Sequence, residues 1–269
     1  MTIPMWRWWN RAVIVLAVAP APARAVVGGT VVAESPSWLA AIGLAGAEAL
    51  RPSGQFCAGQ LVAPDKVVTA AHCVTHFRAA PGLLRLTFGR VDLNTDVGET
   101  VTATEIAIHP EYAESVFISL DGEQNPFHYN DIAVITIEPP LPDRAVIALF
   151  ERDRADSSAP GTAVVVQGWG QTSAADLSNA RLRRTTVAVI EDAACATAYG
   201  SVFDPVQMMC AAAPGRDSCN FDSGGPAVVD GLLVGLVSWG SGCARSGFPG
   251  VYVRTAVHAA FLRQAIGHS

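Results

Sequence analysis

The 269-residue sequence predicts an all-β fold in two antiparallel halves with a C-terminal α-helix. The expectation rests on short β-type runs set off by turn residues, a Pro-rich charged stretch dividing them into two series, and helical spacing only at the end. The first series is Trp38 to Leu44, Val67 to Ala70, Leu84 to Phe88, Val101 to Ile108 and Ile132 to Ile137. The second is Ala163 to Gln167, Thr185 to Ile190, Leu232 to Ser238 and Gly250 to Arg254. Many short strands without helical patterns between them pack as an antiparallel sandwich or barrel. Glu138 to Gly161, lying between the series, reads as a linker. At the end Thr255 is placed to cap a helix, Val257 and Phe261 share one face, and Gly267 terminates it.

Half of the residues are apolar and 16% are charged, which excludes collagen-like, low-complexity and disordered classes. Acidic residues outnumber basic ones 24 to 18, for a net charge of -6. That balance argues against nucleic acid or an anionic membrane as a partner. Residues 1–25 have the three parts of a secretory signal peptide: Arg7 and Arg11, the apolar run Ala12 to Ala19, and the small-residue triplet Ala23-Arg24-Ala25. The run is too short to persist as a membrane anchor, and no later stretch is long enough. The mature chain is therefore expected to be secreted, away from the membrane, with residues 26–145 and 146–269 forming its two halves. Six cysteines in an exported chain imply disulfides, with 15 pairings open. There is no C-x-x-C pair and no H-E-x-x-H, so the spacing supports no metal site.

Three segments carry chemistry: Thr69-Ala70-Ala71-His72-Cys73, Asn130-Asp131-Ile132-Ala133-Val134, and Asp217 through Pro226. A serine hydroxyl needs an imidazole to take its proton, and the imidazole works best when a carboxylate fixes its tautomer. His72, Asp131 and Ser223 fit those roles, with Gly224-Gly225-Pro226 permitting a tight turn behind the serine. Alone, each segment also reads as a surface histidine, a strand-start aspartate or a simple turn; together and in this order they do not.

The motifs TAAHC, DIAV and DSGGP, in the order His, Asp, Ser, resemble the chymotrypsin-like serine peptidases. Other serine hydrolases use different orders, so the order itself discriminates. The resemblance covers residues 26–269 and implies two antiparallel six-stranded β-barrels followed by a C-terminal helix. It implies the pairs Cys57 with Cys73, Cys195 with Cys210, and Cys219 with Cys243. It also implies an oxyanion hole from the N–H groups of Phe221 and Ser223, and a substrate-binding strand at Ser238-Trp239-Gly240. Protein or peptide substrates, protein inhibitors, a monomeric state and no cofactor follow from the same likeness.

Asp217 lies six residues before Ser223, where the family places the base of its primary specificity pocket. A carboxylate there implies cleavage after Arg or Lys, with Gly240 and Gly250 leaving the pocket open. The family's mature N-terminus pairs with the Asp before the nucleophile, which here implies an ion pair between Val26 and Asp222. Because Ala25 ends the signal-cleavage triplet, signal peptidase itself is expected to release Val26, with no propeptide stage.

The sequence departs from the family in three places. Phe221 stands at an oxyanion position that is usually glycine, where a Cβ restricts the backbone and loss of the donor costs about 10² to 10³ in turnover. The expectation is restricted catalysis, with a catalytically impaired binding protein as the alternative; an esterase is disfavoured by the missing Gly-x-Ser-x-Gly elbow. Ala113 to Asn130 is long and reads as an insertion beside the cleft. Arg90 replaces the first of two glutamates that hold calcium in some relatives, Glu99 matching the second, which argues against a calcium site.

Overall fold

A computed structural model describes residues 26–119, 122–149, 158–173, 176 and 178–267. The signal-peptide expectation for residues 1–25 lies outside them. Chain order begins with the short strand β1 (Thr30–Val31) and the first-barrel strands β2 (Leu39–Leu44), β3 (Gln55–Ala63), β4 (Lys66–Thr69), β5 (Leu84–Phe88) and β6 (Glu99–Ile108). A hairpin, β7 (Ala113–Ile118) and β8 (Gln124–Tyr129), precedes β9 (Ala133–Glu138), and β10 (Ala148–Leu149) follows. The second barrel contains β11 (Ala163–Gly168), β12 (Arg183–Val189), β13 (Met208–Ala212), β14 (Pro226–Val229), β15 (Leu232–Trp239) and β16 (Gly250–Arg254).

The first six-stranded ring closes in the order β2-β3-β4-β9-β6-β5. The second runs β12-β11-β14-β15-β16-β13 and closes through Ala188 and Val189 of β12 on Ala212 and Ala211 of β13. All of these barrel pairings are antiparallel. Closure removes exposed sheet edges, and the inward residues fill each ring. Leu61, Leu84, Leu86, Phe88 and Ile135 are fully buried in the first, and Val164, Val166, Met209 and Tyr252 in the second.

The barrels meet at a third apolar cluster in which Val68, Ile132 and Val134 pack with Leu233, Leu236 and Val253. The C-terminal helix, α3 (Ala259–Ile266), adds Leu262 and Ile266 to that seam. Each end of the chain crosses to the other barrel: β1 pairs with β12, while α3 packs beneath the first barrel's Ile132 and Val134. The first part of the expected linker is also packed, since Leu141 and Ile147 are buried and the Ile147 N–H donates to Leu61 O at 3.0 Å. Gly267 terminates α3 with φ +88°, as expected. Thr255 does not cap it: a 3-10 turn intervenes, and the Thr255 hydroxyl donates instead to Leu233 O at 2.9 Å.

Two short helices remain, α1 (Ala71–Val74) and α2 (Asp192–Tyr199). Disulfides Cys57–Cys73, Cys195–Cys210 and Cys219–Cys243 match the pairs the resemblance implied. Among the described residues no helix is long and apolar enough to cross a membrane. Because Leu236 is fully buried in the seam, Leu236→Ala is expected to cost about 2–5 kcal/mol in a denaturant titration. A loss under about 0.5 kcal/mol would show that the seam does not hold the barrels together.

Candidate active site

His72 and Asp131 are brought together by short, constrained segments. Strand β4 ends at Thr69, whose hydroxyl donates to Ala58 O at 2.7 Å, and the chain turns into α1, pinned by Cys57–Cys73. Asp131 follows Asn130, which sits in the left-handed region at φ 49°, a conformation asparagine tolerates well. The fully buried Asp131 carboxylate then accepts from the His72 backbone N–H at 2.8 Å and pairs with His72 Nδ1 at 2.7 Å. Ser238 Oγ donates to the same oxygen as Nδ1, at 2.5 Å. A proton on Nδ1 leaves Nε2 as the acceptor facing the cleft.

Burial opposes charge on His72, but the charge and hydrogen bond of Asp131 outweigh it and raise the imidazole above its ordinary value. Burial likewise opposes the Asp131 anion, and His72 outweighs it, holding this carboxyl well below the usual range. The ring of His128, from β8, stacks on His72 with centroids 4.6 Å apart and planes 12° from parallel. Sequence alone offered no signal for this contact, since His128 has no motif around it. Burial pushes the His128 imidazole down, and Tyr112 Oη lies 3.3 Å from its Nδ1.

The Ser223 loop is held between the barrels. Ser223 O accepts from the Ala58 N–H at 2.9 Å, and the Gly224 N–H donates to Val237 O at 2.8 Å. Gly224 has φ +70°, and a Cβ there would lie 2.5 Å from Ala58 O, so only glycine fits. Ser223 and His72 line one pocket, with no hydrogen bond between their side chains among the described residues. Such bonds often tighten only when substrate binds. Phe221 has φ 74°, and neither its N–H nor that of Ser223 has a protein acceptor among the described residues.

That pocket, of ≈ 330 Å³, is also lined by Asp217, Ser238, Trp239, Gly240 and Gly250. Asp217 is 4% exposed. Its Oδ2 accepts from the Ala244 N–H at 2.9 Å, whereas Oδ1 is buried without a hydrogen-bond partner among the described residues. Burial pushes this carboxyl up to about 7. A Cβ on Gly250 would lie 2.6 Å from that Oδ1, while one on Gly240 would meet nothing closer than Tyr199 Oη at 3.8 Å. Trp239 is covered by Tyr199, Phe117 and Phe127, with ring centroids 4.8, 5.8 and 6.1 Å away. Phe117 and Phe127 belong to the β7-β8 hairpin formed by the long segment, which also sets Asn125, Pro126 and His128 at the pocket rim.

Val26 and Asp222 are both fully buried. The Asp222 carboxylate accepts from the N–H groups of Gly170 at 2.7 Å and Cys219 at 3.0 Å, and burial pushes it up to about 7. Arg90 fills its own loop, donating to Val97 O at 2.5 Å and Ser53 Oγ at 3.1 Å, while Glu99 pairs with Arg144 at 3.2 Å. A guanidinium is itself a cation with donors only, so Arg90 cannot act as a metal ligand. Donor atoms of His72, Cys57 and Cys73 also cluster, but the two sulfurs are joined in a disulfide and offer no thiolate.

The trypsin family profile matches residues 26–262. The chain belongs to the trypsin family of serine peptidases. It is 40% identical over 218 residues to a trypsin of Saccharopolyspora erythraea, covering 80% of this chain and 89% of that one. It is 38% identical over 204 residues to a vitellin-degrading protease of Bombyx mori, covering 74% and 72%. A trypsin of Sarcophaga bullata is 36% identical over 204 residues, with 73% of each chain covered.

For this peptidase the electrostatics set two expectations. With His72 as the base the sequence leads one to expect, kcat/KM falls as pH drops through an imidazole value above the ordinary 6.5, and Asp131→Asn moves that limb downward while lowering kcat about 10⁴-fold. An acid limb that Asp131→Asn leaves in place would contradict the pairing. Asp217 ionises less readily folded than unfolded, so its contribution to stability is present below its unfolded value and lost as pH rises through about 7. Asp217→Asn is therefore expected to raise Tm more at pH 8 than at pH 5. A lower Tm at pH 8 would overturn the burial argument.

Proposed function

We propose that this peptidase is a secreted, monomeric serine endopeptidase that cuts after Arg, and less readily after Lys. The observation that carries the reading is the Asp217 carboxylate in the lining of an open pocket, 4% exposed and with no ion-pair partner among the described residues. A guanidinium entering past Gly240 and Gly250 brings that carboxylate a counter-charge, and forked donors match a carboxylate better than a single ammonium does. The relatives named trypsin support the same reading.

In this reading Ser223 Oγ attacks the carbonyl carbon while its proton passes to His72 Nε2. Asp131 keeps the ring oriented and stabilises the imidazolium. The oxygen that gains charge accepts from the N–H groups of Phe221 and Ser223, both without protein partners, which favours catalysis over an impaired binding scaffold. Collapse breaks the C–N bond, and the departing amine takes the proton from Nε2. Water then enters by the same route in reverse: its proton passes to His72 Nε2 as its oxygen bonds to the acyl carbon, and the bond from that carbon to Ser223 Oγ then breaks while Oγ takes the proton back from Nε2.

Residues 1–25 serve as the signal peptide, and the barrels divide near residues 145 and 146. Signal cleavage after Ala25 releases Val26, whose ammonium pairs with the buried Asp222 in place of a propeptide switch. N-terminal sequencing of the active secreted protein is expected to begin at Val26, and an active protein beginning at Ala25 or earlier would reject the pairing. Initial rates on matched peptides ending in Arg, Lys, Phe or Ala test specificity. Arg is expected to lead, Ser223→Ala to lower kcat about 10⁶-fold, and Asp217→Ser to lower kcat/KM on Arg about 10² to 10³-fold. Equal rates on Phe and Arg would reject the pocket assignment.

A further inference from the structure

Phe221 holds a backbone conformation that a side chain disfavours, with φ 74°. Such a residue relaxes most simply by rotating the preceding peptide plane, which brings φ negative and swings its N–H away from the cleft. The strained form is therefore the one that can donate to an oxyanion, and something must hold it. With glycine the penalty is absent; with phenylalanine it is not.

The preceding peptide is held through its carbonyl, since the Gln171 N–H donates to Asn220 O at 2.9 Å, and Phe221 itself is gripped at two further points. Gln55, 1% exposed, donates from Nε2 to Phe221 O at 2.8 Å, fixing the peptide on the far side of the residue. Arg51, 6% exposed, places its guanidinium carbon 4.1 Å from the centroid of the Phe221 ring. Arg51 Nε donates to Gln55 Oε1 at 2.8 Å, so one side chain sets both grips. Its other donors reach across to the second barrel, to Trp169 O and to Asn179 O at 3.1 Å. Such contacts offset the desolvation of the buried guanidinium.

We propose that Arg51 is a positioning residue which, through the Phe221 ring and through Gln55, holds the Phe221 N–H toward the oxyanion. The proposal rests on the peptidase reading above. It explains how a phenylalanine occupies a position that favours glycine without forfeiting the donor.

The test combines geometry with coupling. A crystal structure of Arg51→Met is expected to show the 220–221 peptide rotated and Phe221 at negative φ; this readout needs no activity, so it stands apart from failure of the peptidase reading. In rates on an Arg peptide, Arg51→Met is expected to lower kcat about 10- to 100-fold with KM changed less than threefold. Placing Phe221→Gly in the same chain is expected to restore most of that loss, because glycine needs no grip. Should Arg51→Met fold poorly, Phe221→Leu keeps the Cβ, removes the cation–π contact and is expected to lower kcat about 5- to 10-fold. Phe221 remaining at positive φ in Arg51→Met, or an Arg51→Met loss unchanged by Phe221→Gly, would overturn the proposal.

Discussion

Asp131 is the point on which both barrels converge. The carboxylate is fully buried, a state that costs several kcal/mol unless its oxygens are satisfied. Its satisfaction comes from both sides of the seam: the backbone and ring of His72 belong to the first barrel, and Ser238 to strand β15 of the second. Relative movement of the barrels would leave a buried charge short of donors. Packing at the seam and the orientation of His72 are thus one constraint, and α3, crossing beneath Ile132, reinforces it.

Around that fixed point the molecule concentrates features that oppose stability. Asp217 and Asp222 are buried carboxyls pushed up to about 7, and Phe221 sits at a positive φ. Natural proteins retain such costs where they serve a site. Asp217 lacks the partner that a cationic side chain would bring, and the Asp222 carboxylate accepts only from the backbone N–H groups of Gly170 and Cys219 among the described residues. The buried seam, two closed rings and three disulfides, each closing a loop worth about 3 kcal/mol, offset these terms.

Much of this was legible in the sequence because it is encoded locally. Strands Leu84–Phe88 and Gly250–Arg254 fall where their β-branched and aromatic residues place them, and the three motif segments name the reactive groups. Strand β3 was not visible. Gly59 and Gln60 interrupt its alternation, yet a Cβ at Gly59 would lie 2.6 Å from Val67 Cγ1, and Gln60 donates to Gly224 O at 2.9 Å. β14 opens with Pro226, and β13, Met-Met-Cys-Ala-Ala, carries no β-branched or aromatic residue. The contacts of His128 with His72 and of Arg51 with Phe221 join residues far apart in the chain, and no local pattern announces either. Thr255 illustrates the reverse: its capping chemistry is real, but a distant carbonyl on Leu233 claims the hydroxyl.

The central claim is that a buried, unpartnered carboxylate directs the scissile bond. Its most direct test is to digest an unfolded protein of mixed composition with the purified peptidase and determine every newly formed C-terminus by mass spectrometry. The account predicts that Arg dominates these termini, with Lys second. New termini distributed among apolar residues, in a digest that a Ser223→Ala preparation does not produce, would contradict it.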